Sequence, residues 1–172
     1  FTTIKGKKLN VFYVLHPGSH YFIRNLHYDI QDSVIGNLLK NHKRGLHEGM
    51  IMNVNALNEE RSRLTSFLQN NGYYRFHKEF ITFLADSIQD SHQVDLTLQL
   101  GLYRASNTND TLHTRYTIRH INYASGDPQD SVIHLRDRVL QENTMLTEGQ
   151  PYSAEGLRNT YTHFGRLGAV RY

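Results

Sequence analysis

The chain has no cysteine among its 172 residues, which excludes a disulfide framework, a thiolate metal site and a cysteine nucleophile, and suits cytosol and bacterial periplasm alike. It has no apolar run near the roughly 18 to 20 residues that a membrane-spanning helix needs. No charged-apolar-small leader follows Phe1, so the chain reads as an excised or processed piece of a longer protein. Charge of one sign is also lacking: 19 basic against 16 acidic residues leave +3, at most a weak pull toward nucleic acid or anionic lipid. No Ser-His-Asp signature, Gly-rich phosphate loop, nucleophile elbow or His-Glu-x-x-His motif occurs, so no catalytic residue is assigned. Glu59 and Glu60 fall on a helix whose polar face needs charges, and Asp86 and Asp90 sit near a turn. Among the 11 histidines, His16 and His20 flank a Pro-Gly turn with no helix to align them, and His42 and His47 near Glu48 read as surface residues. No metal and no cofactor is expected.

What is present is organised around residues 57–87, LNEERSRLTSFLQNNGYYRFHKEFITFLADS. Leu57, Glu60/Arg61, Leu64 and Phe67/Leu68 recur at three- and four-residue spacing, which predicts an amphipathic helix. Asn55 is the expected N-cap. Asn71-Gly72 predicts the stop, since glycine enters the left-handed conformation without a Cβ clash. Tyr73, Tyr74, Phe76, Phe80, Ile81 and Phe83 then favour a pleated strand.

Around this stretch, Leu9 to Leu15 is an apolar run of strand length, and His16-Pro17-Gly18-Ser19 is a turn. Tyr21 to Tyr28 predicts a strand. Asp32-Ser33 caps a short helix carrying Val34, Ile35, Leu38 and Leu39. Val94 to Leu100 alternates apolar with polar residues, as a half-buried strand does. Residues 21–103 therefore read β-α-α-β-β. Beyond the polar segment Ala105 to Thr111 the pattern restarts: Tyr116 to Tyr123 matches Tyr21 to Tyr28, and Asp130-Ser131-Val132-Ile133 repeats Asp32-Ser33-Val34-Ile35. A helix with Leu135, Val139 and Leu140 follows, then Gly149, a second helix over Leu157 to Phe164, and Gly168. This is an internal repeat of roughly 95 residues. The expected division is residues 1–16 as the final strand of a preceding unit, 17–104 as a complete unit, and 113–172 as a following unit that stops before its last strand.

The segments Glu60-Arg61, Leu64, Leu68, Asn71-Gly72-Tyr73-Tyr74-x-Phe76 and Phe80-Ile81-x-Phe83-x-Ala85-Asp86 resemble POTRA (polypeptide-transport-associated) domains. So does the junction Val14-Leu15-His16-Pro17-Gly18-x-x-Tyr21-x-Ile23. These domains form the periplasmic arm of BamA/TamA-family outer-membrane assembly factors, and the Gly-Tyr-Tyr form is most similar to TamA-like members of Bacteroidetes-type bacteria. The second copy departs from the pattern at Gly168-Ala169-Val170 and at Gly156 inside its helix. The resemblance implies an α+β fold of tandem units, each a three-stranded mixed sheet covered by two helices. It places the strand after the second helix, Tyr74 to Ala85, on the sheet edge, where an extended client adds through main-chain bonds. Tyr74, Phe76, Phe80, Ile81 and Phe83 are the client- or partner-binding candidates, and Gly72, Tyr73, Tyr74, Asp86, Pro17 and Gly18 the structural motif. The implied partners are unfolded outer-membrane proteins or assembly-complex subunits. The implied location is the periplasm, attached through a C-terminal outer-membrane β-barrel of the parent chain.

The same edge has a plainer reading. Ile81 and Phe83 share one parity and read first as core, whereas Phe76 and Phe80 on the other parity stand open between core and contact. Lys78 and Glu79 read equally as charges that keep the edge from pairing. A rival of another class is an α+β nucleic-acid-binding module, argued from Lys40 to Arg44, Arg61, Arg63, the 11 tyrosines and a pI near 9.1. Against it, the aromatics are not interleaved with a dense basic stripe, and no GXXG or RNP-type signature occurs.

Overall fold

The computed structural model of the chain describes residues 2–88, 91–104, 111–125, 132–133 and 135–167. An antiparallel hairpin, β1 (Thr2–Lys5) and β2 (Lys8–Val11), opens the chain and turns at Gly6, whose φ of +63° suits glycine. The strand expected over Leu9 to Leu15 thus ends at Val11. Phe12 to Leu15 continue outside it with their side chains exposed, Tyr13 at 86% and Leu15 at 83%.

The first α+β unit comprises β3 (Phe22–Ile30), α1 (Ser33–Leu39), α2 (Val54–Asn70), β4 (Ile81–Ile88) and β5 (Gln93–Leu100). Its sheet has the order β3-β5-β4, with β5 parallel to β3 and antiparallel to β4, so it is mixed and β5 is central. The alternation of β5 does what its sequence dictates. Val94, Leu96, Leu98 and Leu100 are buried on the helix-covered face, each contributing about 1.5–3 kcal/mol by leaving water. Ile35 and Leu39 from α1 and Leu64 and Leu68 from α2 cluster with Leu98 and Leu100, while Ala56 of α2 and Leu46 cluster with Val94 and Leu96. Asp32 caps α1, accepting from Val34 N (3.0 Å) and Ile35 N (3.2 Å). The cap of α2 is Asn53 rather than Asn55: the helix starts at Val54, and Asn53 Oδ1 accepts from Ala56 N at 2.8 Å. At the other end Gly72 takes φ +99° and Tyr73 N bonds back to Leu68 O, so the helix stops at the Asn-Gly pair.

The strand expected from Tyr74 begins only at Ile81. Tyr73 and Phe76 are both buried, at 2% and 1% exposure. That three-residue spacing needs a turn, closed by Phe76 N to Tyr73 O (3.0 Å), because a strand would send the two rings to opposite faces. Gln69 Nε2 holds Phe76 O at 2.8 Å, and a single 3₁₀ turn over Lys78–Phe80 leads into β4.

The second unit, taken as the described residues from Arg115 to Leu167, carries α3 (Asp137–Glu142) and α4 (Ala154–Arg166). Its backbone bonds follow those of the first unit. Ile23 N to Met50 O, Gly49 N to Ile23 O and Met52 N to Tyr21 O have counterparts in Ile118 N to Gln150 O, Gly149 N to Ile118 O and Tyr152 N to Tyr116 O. Gly49 and Gly149 both have positive φ, and Glu48 and Glu148 each accept from a backbone N–H, of Leu26 and of Ile121. The segment 116–123, expected as a strand, makes a single bridge, Thr117 to Pro151, among the described residues. Asp130, Ser131 and Gly168 lie outside the described residues, and the helix expected to carry Leu135, Val139 and Leu140 holds Val139 and Leu140 but begins at Asp137, after Leu135. Ser153 caps α4 through Gly156 N at 3.0 Å.

Candidate functional site: an open sheet edge

A three-stranded sheet has two edges, and here they differ. The outer side of β3 is covered by residues 47–52 over its first half: Ile23 exchanges bonds with Gly49 and Met50, and Glu48 Oε1 accepts from Leu26 N. The outer side of β4 has no strand beside it among the described residues. Which groups it exposes follows from register. Gly101 N donates to Phe80 O, and Ile81 pairs with Leu100, so the even-numbered residues of β4 bond to β5 and the odd ones point outward. The N–H of Ile81 is already given to Lys78 O. Phe83, Ala85 and Ser87 therefore present the open N–H and C=O groups.

The two faces of this edge are unlike. On the inner face Ile81 is fully buried and Phe83 half-buried, with the Arg61 guanidinium of α2 5.6 Å from the centre of the Phe83 ring. On the outer face Leu84 is 59% exposed between Thr82 and Asp86. Asp86 is opposite Asp95, whose carboxylate is held by Arg24 and by Asn25 Nδ2. Hydrogen bonding from Arg24 keeps Asp95 below the usual carboxylate range.

Of the candidates read from sequence, Ile81 and Phe83 lie on the edge strand, with side chains turned toward the core. Tyr74, Phe76 and Phe80 precede it. Phe76 is core, and Phe80 is half-buried against Phe76 and His113. Tyr74 meets Tyr116 and Tyr152 of the second unit edge-on, at centroid distances of 6.1 and 5.0 Å. Gly72 and Tyr73 form the helix stop and the turn after it. Pro17 and Gly18 lie exposed in the irregular connection before β3.

Sequence reading placed Glu60 on a polar helix face and missed its burial. It is 1% exposed and accepts from Tyr28 OH (3.0 Å), Gly45 N (2.9 Å), and Arg63 Nε and Nη2 (2.8 and 2.5 Å). Burial, followed by the Glu60 charge, pushes the Tyr28 phenol well above its usual value. Arg63 three residues on was the available signal. Beside this network lies a cavity of about 350 Å³ lined by Lys40, His42, Arg44 and Arg63, among others. Its cations are engaged within the protein: Lys40 with Asn37, Arg63 with Glu60, and Arg44 over the Tyr28 ring.

His42 stacks on Phe67 at 3.8 Å, and burial, then the Arg63 charge, lowers its pKa. An unfolded histidine takes its proton as pH falls through about 6.5. Folded His42 resists protonation, so the folded state loses stability below that pH and keeps it above. The drop in urea midpoint between pH ~7.5 and ~5.5 is expected to be smaller for His42→Gln than for the native chain. Equal drops would remove His42 from the account.

The geometry defines a POTRA-like α+β fold, a three-stranded mixed sheet covered on one face by two helices. The chain is similar to the crystal structure of Haemophilus influenzae BamA POTRA3-5, with a TM-score of 0.50 and 14% identity. The match covers 88% of this chain and 52% of that one, so this chain spans about half the length of its structural neighbour. At that identity the likeness is one of fold. No family model matches the sequence, and no curated protein matches it. No helix among the described residues is long and apolar enough to cross a membrane, and no group of three or more His, Asp or Glu there is placed to hold a metal ion.

Proposed function

We propose that the chain is the periplasmic POTRA segment of an outer-membrane β-barrel assembly or translocation factor, of TamA-like type, that receives extended polypeptide by strand addition at β4. The carrying observation is the asymmetry of the sheet: the β3 edge is covered by the chain itself as far as Leu26, and the β4 edge leaves Phe83, Ala85 and Ser87 open. Main-chain pairing reads little sequence, which suits a receiver of many unfolded clients. Outer-membrane proteins still unfolded, or subunits of the assembly complex, are the partners this edge fits. No step of this function breaks or makes a covalent bond.

The reading includes tandem units. The recurring backbone bonds support it, and so does an apolar groove of about 530 Å³ in the second unit, lined by residues that include Ile121, Tyr123, Leu140, Leu157 and Phe164. In the first unit the corresponding side of the strand is filled by β5. On this reading the β1–β2 hairpin is the end of a preceding unit, the second unit is closed by a further strand, and the parent carries a C-terminal barrel.

The test is a titration of the ¹⁵N-labelled chain with an extended peptide from a barrel strand, at low and high salt. Amide shifts concentrated on Phe83 to Ser87, and little changed by salt, are expected. Phosphate-type contacts would instead weaken steeply with salt. Absence of shifts on β4 in the folded chain overturns strand addition.

A further inference from the structure

We infer that the two units move as one rigid body, held by a latch that the end of α2 forms on the second unit. The latch has three parts, from different segments.

The first is a helix end capped by another helix end. Asn70, the last residue of α2, accepts from Glu155 N (2.8 Å) and Ser153 Oγ (3.3 Å), and its Nδ2 donates to Glu155 Oε2 (3.2 Å). One amide thus satisfies a free donor in the first turn of α4 and holds the carboxylate beside it. The second part is backbone. Gly72 O accepts from Tyr116 N (2.8 Å), and Asn71 O accepts from Arg115 Nε (2.8 Å). The second unit therefore supplies donors to carbonyls just past the end of α2, where no helical partner remains. The approach is close. A Cβ on Gly72 would lie 2.7 Å from Arg115 Cγ and 3.0 Å from Tyr116 O. The third part is aromatic: the Tyr74 ring fits between Tyr116 and Tyr152, and the Arg75 guanidinium lies 5.8 Å from the Tyr116 ring centre.

The described end of the connecting chain is held as well. His113, 9% exposed, gives its backbone N–H to Asp32 Oδ2 (3.2 Å) and has Nε2 2.9 Å from Gly101 O. Its ring packs against Phe76 and Phe80. Asp32 therefore caps α1 with one oxygen and holds the connection with the other. A flexible linker engages neither neighbour. Here its described end is tied to the first unit at His113, and the residues that follow, Arg115 and Tyr116, hold the turn after α2, which restrains both bending and twisting. The consequence is a set angle between the β4 edge and the second unit. This inference rests on the contacts alone and stands whether or not β4 receives a client.

The absence of native cysteine allows clean double labelling. Spin labels at Thr82→Cys and Arg158→Cys, both exposed and one on each unit, are read by electron–electron distance spectroscopy. A single narrow distance distribution is expected for the native sequence. The pair Asn70→Ala and Tyr74→Ala should widen it by about twofold or more, as the joint becomes a linker. Arg115→Ala, which removes one backbone contact, should give a smaller widening in the same direction. Circular dichroism of each variant establishes that both units stay folded. A native distribution as wide as that of the double variant overturns the inference, and so does a folded double variant as narrow as the native chain.

Discussion

Glu60→Leu is expected to cost the first unit about 3–5 kcal/mol, read as a lower urea midpoint with an unchanged slope. The carboxylate is wholly buried and has four donors. A leucine there has similar bulk and no acceptor, so the Tyr28 hydroxyl, the Gly45 N–H and the Arg63 guanidinium all lose their partner at once. An unpaired buried donor costs more than a paired one contributes, and a charged donor costs most. Glu60→Gln keeps one acceptor oxygen and the shape, and should lose less. Adding Arg63→Met to Glu60→Leu removes the stranded charge and should recover part of the loss, a coupling that a double-mutant cycle measures. A loss below about 1 kcal/mol for Glu60→Leu would mean that water replaces the carboxylate, against the burial described.

Glu60 also shows where sequence reading stops. Next to Glu59 on an amphipathic helix it looks like one more solvated charge, and of its donors only Arg63 is local, whereas Tyr28 and Gly45 are brought to it by tertiary structure. The helix containing it was legible because its apolar spacing is a local property, and so was its Asn-Gly stop. The alternation of β5 was legible for the same reason: Val94, Leu96, Leu98 and Leu100 write their burial directly into the sequence. The start of β4 was not legible, because an aromatic-rich run from Tyr73 to Phe83 carries strand propensity throughout. The competing signal, Tyr73 and Phe76 three apart, belongs to a turn whose rings both enter the core. Propensity describes fitness for a pleated surface, and packing decided otherwise. The latch residue Asn70 gave no signal beyond its place at a helix end, since its partners lie 83 and 85 residues away. The edge character of β4 came from the resemblance, whereas the choice of outward residues required register.

That choice yields the second large effect. Ala85→Pro is expected to lower binding of an extended peptide at β4 by about tenfold or more while leaving stability within about 1 kcal/mol of native. The Ala85 N–H points away from β5, so proline there removes a donor offered to a partner and none used by the sheet. Leu84→Pro is the opposite case. Leu84 faces Thr97 across the ladder, and the register turns its N–H inward. Proline at 84 breaks a native bond and should cost about 3 kcal/mol or more. The two variants place the same ring on neighbouring residues of one exposed strand, so surface chemistry cannot account for different outcomes. The direction of the N–H can. If Ala85→Pro binds the peptide as the native chain does, the peptide is not adding to this edge. If both prolines destabilise alike, the outward assignment of Ala85 is wrong and the open window must be redrawn on the even residues of β4.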